Sequence, residues 1–210
     1  MTIKLKGSTD GSVSLDAPAD TSPSGTDVSF TLPTSDGTAG QVLSTNGSGG
    51  LSLADALTEF DQFILRTSVT ADGTIVDFRR PGLPLNASQI GTGMSESLGI
   101  FSFPRTGKYL IIGSWQMDVE PADSMGVQTE VSSDSGSTYA TYARVYDGHV
   151  GGTTPERRAH CNSYAFIDVT NASTFRVKFH LTSVATGGAL LSATHAETTV
   201  LFIRLGDSGS

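Results

Sequence analysis

The 210-residue sequence predicts an all-β fold: an extended N-terminal arm followed by an antiparallel β-sandwich. Three observations predict it. The composition holds 24 Gly, abundant Ser and Thr, and only 16% charged residues. Thr is β-branched and favours strands, while Gly serves tight turns. From Asp61 onward, apolar residues recur with period two, the period of a strand with one buried face. Short turn signals separate these runs, at Ala71-Asp72-Gly73, Arg105-Thr106-Gly107, Asp134-Ser135-Gly136, Asp147-Gly148, Gly151-Gly152 and Gly187-Gly188.

Residues 1–50 form the arm. Gly and Pro interrupt it throughout, leaving short alternating pieces such as Val13-Ser14-Leu15 and Val28-Ser29-Phe30-Thr31-Leu32. These hold too few large residues for an independent core. The segment is either a disordered tail or an arm that takes its order from partner chains. On the second reading its apolar residues, Val13, Leu15, Phe30, Leu32, Val42 and Leu43, are the candidate docking residues.

Residues 51–60 predict a short helical linker. Leu53, Ala56, Leu57 and Phe60 follow i, i+3, i+4, i+7, and Ser52 with Asp55 makes a Ser-x-x-Asp capping pattern. Two turns of helix are marginal in isolation.

Residues 61–206 predict the head, with 207–210 as a short tail. Tyr109, Ile111, Gly113, Trp115, Met117 and Val119 share one strand face. Cys161, Ser163, Ala165, Ile167 and Val169 form a second row, and Phe175, Val177, Phe179 and Leu181 alternate with Arg176, Lys178, His180 and Thr182. The run Thr199–Leu205 is apolar on both faces as far as Arg204, so it needs cover on two sides. Either both covers lie within one chain, or one comes from a neighbouring subunit. About eight to ten strands at this spacing predict a sandwich or jelly roll.

The net charge of −8, with no basic run, argues against nucleic acid and against anionic membranes. Cys161 is the only cysteine, so no disulfide can form within the chain. No apolar segment follows the charged N-terminal residues, so no signal peptide is expected, and no run of about 18 apolar residues predicts a membrane span.

No phosphate loop, Gly-x-Ser-x-Gly elbow, zinc spacing or Cys-x-x-Cys pair occurs, and no cofactor is implied. His160 and Cys161 are sequence neighbours and so point to opposite faces of a strand. Cys161 reads as a small apolar side chain. Asp118, Glu120 and Asp123 read as a solvated acidic turn in preference to a calcium loop. Expected catalytic and metal residues are therefore none.

Two stretches resemble known families. Phe101 followed by Gly107-Lys108-Tyr109 resembles the Phe-x5-Gly-x-Tyr strand entry of complement globular-head and tumour-necrosis-factor-like jelly rolls, and Val200-Leu201-Phe202-Ile203 is similar to their last strand. Leu5–Val13 and Leu32–Gly47 resemble segments that precede C-terminal heads in virion appendage proteins of marine phages, cyanophage-like ones included. The resemblances imply a homotrimer with the C-terminal strand near the threefold axis. Tyr109, Val200 and Phe202 are the candidate trimer residues on that reading.

They also imply a virion structural protein, made in the host cytoplasm and docked to other virion proteins through the arm. The expected role is a tail fibre or appendage subunit contributing to host attachment; the alternative is a capsid-decorating protein whose arm lies on the shell. For a host glycan or protein, the candidate binding loop carries Tyr142, Tyr146, His149, Arg157 and Arg158, because Tyr and Arg give large contact area and directed hydrogen bonds. An ordinary strand pair and loop is the competing reading of that segment.

Overall fold

The computed structural model describes residues 2–6, 12–16, 19–22, 24–38, 40–82, 89–148, 158–192 and 197–209. The chain divides into two compact units, Met1–Ala56 and Leu57–Ser210. Every regular element among the described residues is a strand, and no helix is long and apolar enough to cross a membrane.

The first unit contains two antiparallel hairpins. β1 (Thr2–Lys6) pairs with β2 (Ser12–Asp16), and β3 (Gln41–Thr45) with β4 (Leu51–Asp55). Asn46 closes the second turn: its side-chain oxygen accepts from the backbone N–H groups of Ser48 and Gly50, both at 2.9 Å. Thr31 runs parallel to the end of this turn, accepting from Leu51 N–H and donating to Gly49 carbonyl at 2.9 Å.

The helical linker expected over residues 51–60 is absent. Leu51–Asp55 is a strand, and Phe60 opens the first strand of the second unit. A two-turn helix leaves most of its terminal backbone groups unpaired. The strand instead finds a five-residue partner that satisfies them, with Leu43 opposite Leu53.

The second unit is two antiparallel sheets around one core. Its strands are β5 (Phe60–Leu65), β6 (Gly73–Thr74), β7 (Phe78–Arg79), β8 (Gln89–Ile90), β9 (Ser95–Ser97), β10 (Ile100–Ser102), β11 (Gly107–Asp118), β12 (Ser124–Ser132), β13 (Ala140–Gly148), β14 (Arg158–Val169), β15 (Arg176–Thr182), β16 (Ala189–Leu190) and β17 (Thr199–Gly206). One sheet runs β13-β12-β15-β10-β9, with β6 on β15; the other runs β14-β11-β17-β5-β7, with β8 on β5 and β16 on β11. The last strand therefore lies between the first long strand and β11, the crossing connectivity of a jelly roll.

The strands expected to alternate do so. In β11 every second residue from Gly107 to Met117 is buried, and in β15 Val177, Phe179 and Leu181 are fully buried. Phe101 sits at the centre of the core, its ring 5.0 Å from Phe63, 5.0 Å from Phe202, 5.4 Å from Phe78 and 5.8 Å from Phe179. Such aromatic pairs add to the large apolar burial of each ring. Trp115 donates its indole N–H to Ser163 Oγ at 2.9 Å across the β11–β14 pair. Gly113 is glycine because the Trp115 ring takes its space: a Cβ there would meet Trp115 Cζ2 at 2.3 Å.

Two buried carboxylates lock the β5 side. Asp61 takes a two-pronged bond from Arg80, at 2.9 and 2.6 Å, and accepts from Met94 N–H at 2.7 Å. Glu59 faces the Arg105 guanidinium at 2.8 Å and accepts from Gly93 N–H at 3.0 Å. Pairing and hydrogen bonding offset the cost of burying these charges, and they fasten the 91–94 turn to the sheet.

Candidate functional surface

The strand pattern that buries one side of the β14-β11-β17-β5 sheet turns the other side outward. Register places Phe166, Leu110, Ile203 and Phe60 in one row across the four strands, and Tyr164, Ile112, Leu201 and Gln62 in the next. Tyr164 and Phe166 are 63% and 52% exposed, and the aliphatic members are half-buried. At about 4.8 Å between strands, the two rows make an apolar band about 14 Å wide. Leu205 continues it at the end of β17 with 57% exposure.

Polar rows border the band. Asn162, Ser114 and Thr199 lie on one side, and Lys108 and Asp168 on the other. An apolar centre with a polar rim is the anatomy of a protein–protein interface, and a contiguous exposed apolar patch marks an interaction site.

The residues expected at the trimer surface lie elsewhere. Tyr109, Val200 and Phe202 are in the core of a single chain, at 1%, 0% and 1% exposure. Tyr109 donates its hydroxyl to Arg105 carbonyl at 2.9 Å, and burial pushes its phenol up to about 12. The physical reason is register. Val200 pairs with Gly113 and Phe202 with Ile111, both core-facing, so Leu201 and Ile203 take the outward positions. The inner face of β17 is covered within its own chain, and Leu201 and Ile203 remain half-buried on the other face.

The band itself was within reach of the sequence. On β14 the core phase is Ser163, Ala165 and Ile167, which leaves two aromatics, Tyr164 and Phe166, on the phase where polar residues are usual.

In the first unit, Phe30, Leu32, Val42 and Leu43 are exposed, as is Val28. Val13 and Leu15 lie on β2, in register with Leu5 and Ile3.

The described residues of the segment expected as a binding loop are largely strand. Tyr142 and Tyr146 belong to β13, and Arg158 opens β14; His149 and Arg157 lie outside the described residues. Tyr142 donates its hydroxyl to Phe166 carbonyl, tying the edge of one sheet to the edge of the other. The Tyr146 ring lies against Gly126, where a Cβ would meet it at 2.4 Å. Arg158 stands 3.8 Å from Glu197. Fold architecture thus employs Tyr142, and the three described residues of the five lie on strands rather than in a loop.

Cys161 is half-buried against the core, and burial, with Asp147 adding its charge, pushes the thiol up to about 11. At neutral pH it is a thiol, not a nucleophilic thiolate. His160 points outward, its Nε2 2.8 Å from Ser114 Oγ on the open sheet face. Among the described residues no group of three His, Cys, Asp or Glu side chains could hold a metal ion, the acidic 118–123 segment included.

The arrangement defines a jelly-roll head with one apolar outer face. No protein-family model and no curated protein sequence matches the chain. Solved structures do match. The Eiger tumour necrosis factor of S. frugiperda superposes with a TM-score of 0.57 at 13% identity, covering 73% of this chain and 96% of that one. Murine APRIL at pH 8.5 gives 0.52 at 13% identity, covering 70% and 98%, and at pH 5.0 gives 0.53 at 12%. The head therefore has the jelly-roll fold of tumour-necrosis-factor-like proteins.

Proposed function

We propose that the chain is a non-enzymatic structural subunit of a phage particle, a tail-fibre or appendage protein whose heads associate in threes. One observation carries the reading: the described chain leaves apolar residues exposed in both units. These are Tyr164, Phe166 and Leu205 of the head, beside the half-buried Leu110 and Ile203, and Val28, Phe30, Leu32, Val42 and Leu43 of the first unit. Exposed apolar surface of this extent is stabilised by burial against other chains.

The head supplies self-association through the band; the tumour-necrosis-factor-like fold and the family resemblance of the Gly107–Tyr109 entry support three copies. The first unit supplies docking to other virion proteins, supported by the likeness of Leu32–Gly47 to phage appendage segments. Contact with the host falls to the surface of the head away from the band.

Cryo-electron microscopy of intact particles tests the placement. Density for the head on the tail is the expected result; density spread over the shell would make this a capsid-decorating protein, and no density would remove the virion role. Deleting residues 1–50 is expected to leave a soluble head that particles no longer incorporate. Normal incorporation of the truncated chain would show that the arm is not the anchor.

A further inference from the structure

The second hairpin of the first unit has an extended segment beside it. Residues 28–32 lie along the start of β4, bridged to it at Thr31, so the members stand in the order 28–32, β4, β3. The segment is held closely on its inner side. A Cβ on Gly49 would meet the Ser29 carbonyl oxygen at 2.4 Å, and Gly49 takes a φ of 86°, which suits glycine. β4 has a neighbour on each side; the two outer members do not.

Alternation decides what the outer edges present. Thr31 turns its N–H and C=O towards β4, so Phe30 turns its own outward, and the backbone groups of Val28 and Phe30 have no hydrogen-bond partner among the described residues. On the other side Asn46 donates its N–H to Gly50 carbonyl at 3.0 Å, which places Ser44 and Val42 on the inner side of β3 and Leu43 on the outer. Side chains follow the same parity. Leu43 lies opposite Leu53 and Thr31 beside Gly50, so Phe30, Leu32, Leu43, Leu51 and Leu53 share one face. Phe30, Leu32 and Leu43 are each more than half exposed.

Open edges of lone chains are blunted by charges, bulges or cover. Here residues 28–34 and 41–54 hold no charge, and the β3–β4 register runs without a bulge. Such edges suit the addition of a strand from another chain.

We propose that the two edges pair with each other between copies: residues 28–32 of one chain add to β3 of the next, and three chains close the circle. Rotation about an axis along the strands keeps strand direction. Residues 28–32 run parallel to β4 and β3 runs against it, so the new pair is antiparallel. Phe30 then stands opposite Leu43, Leu32 opposite Gln41 and Val28 opposite Thr45. At the central pair both residues turn their backbone groups to each other and both side chains lie on the same face, so hydrogen bonding and apolar contact agree in one register. A twofold pairing of 28–32 with itself would leave the β3 edge of each chain open; the head-to-tail match closes both. The inference rests on the proposed function only for the number of copies, and docking to the particle then falls to the joined first units.

Disulfide trapping in the full-length protein tests it. In a Cys161→Ala background, Phe30→Cys together with Leu43→Cys is expected to give covalent dimers and trimers on mild oxidation. Residues in a hydrogen-bonded antiparallel pair stand about 5.5 Å apart at Cα, within disulfide reach. Within one chain the same positions flank β4, two strand spacings or about 9.6 Å apart, too far to bridge. Neither cysteine alone should cross-link, and Phe30→Cys with Ser44→Cys, one residue out of phase, should lose the cross-link. No cross-link between positions 30 and 43, cross-linking of Phe30→Cys with itself, equal cross-linking at position 44, or a ladder that stops at two chains or runs past three would overturn the pairing. Sedimentation of the same double variant under reducing conditions reads the heads separately. A trimer mass without cross-links would remove the edge pairing and leave the association of heads standing; cross-linked chains missing from particles would remove the virion role and leave the pairing standing.

Discussion

Asp134 shows how a single exposed side chain can order a whole turn. Its carboxylate collects bonds from Ser132 and Thr138, and those bonds hold it at about 2, against an ordinary 3.8. Because the folded value lies below the ordinary one, the carboxylate stabilises the turn at pH values above about 4, and the contribution fades as pH falls towards about 2. The Thr138 amide resonance is accordingly expected to hold its position from neutral pH to about 4 and to titrate with a midpoint near 2. A midpoint at the ordinary aspartate value would mean that the bonds do not form in solution.

At the scale of elements, the long strands show what the sequence reveals and what it does not. β11, β14 and β15 were legible because each keeps one apolar phase over seven or more residues. β17 was legible as a strand with two apolar faces, but not in orientation. Val200 and Phe202 are no more apolar than Leu201 and Ile203, and only pairing with β11 and β5 decides which pair turns inward. β6, β7, β8 and β16 span two residues each, too few to show any period. The false helix at 51–60 arose because Leu53, Ala56, Leu57 and Phe60 fit a helical spacing while Leu51 and Leu53 fit the alternation of a short strand. Long-range pairing settled it.

On the proposed reading, the two faces of the sheet separate stability from assembly. Phe202→Asp puts a carboxylate among Phe63, Phe101 and Phe103, where an unpaired charge costs several kcal/mol; the head is expected to unfold or precipitate. Phe166→Asp sits on the outer face and is expected to leave the circular dichroism spectrum of the head unchanged while reducing its mass to that of one chain. A folded, trimeric Phe166→Asp protein would place the association surface elsewhere.

For the molecule as a whole, the composition anticipated an all-β chain, and the two compact units of the structure are both built from strands alone among the described residues. The proposed assembly surface was less legible, because it consists of the residues left over once the core has chosen its phase. That surface is the pivot of the account. Sedimentation equilibrium of the purified chain at micromolar concentration measures it directly: the expected mass is three times the 21.8 kDa of one chain, and a stable species of one chain's mass across the concentration range would contradict the claim that copies share the Tyr164–Phe166 face.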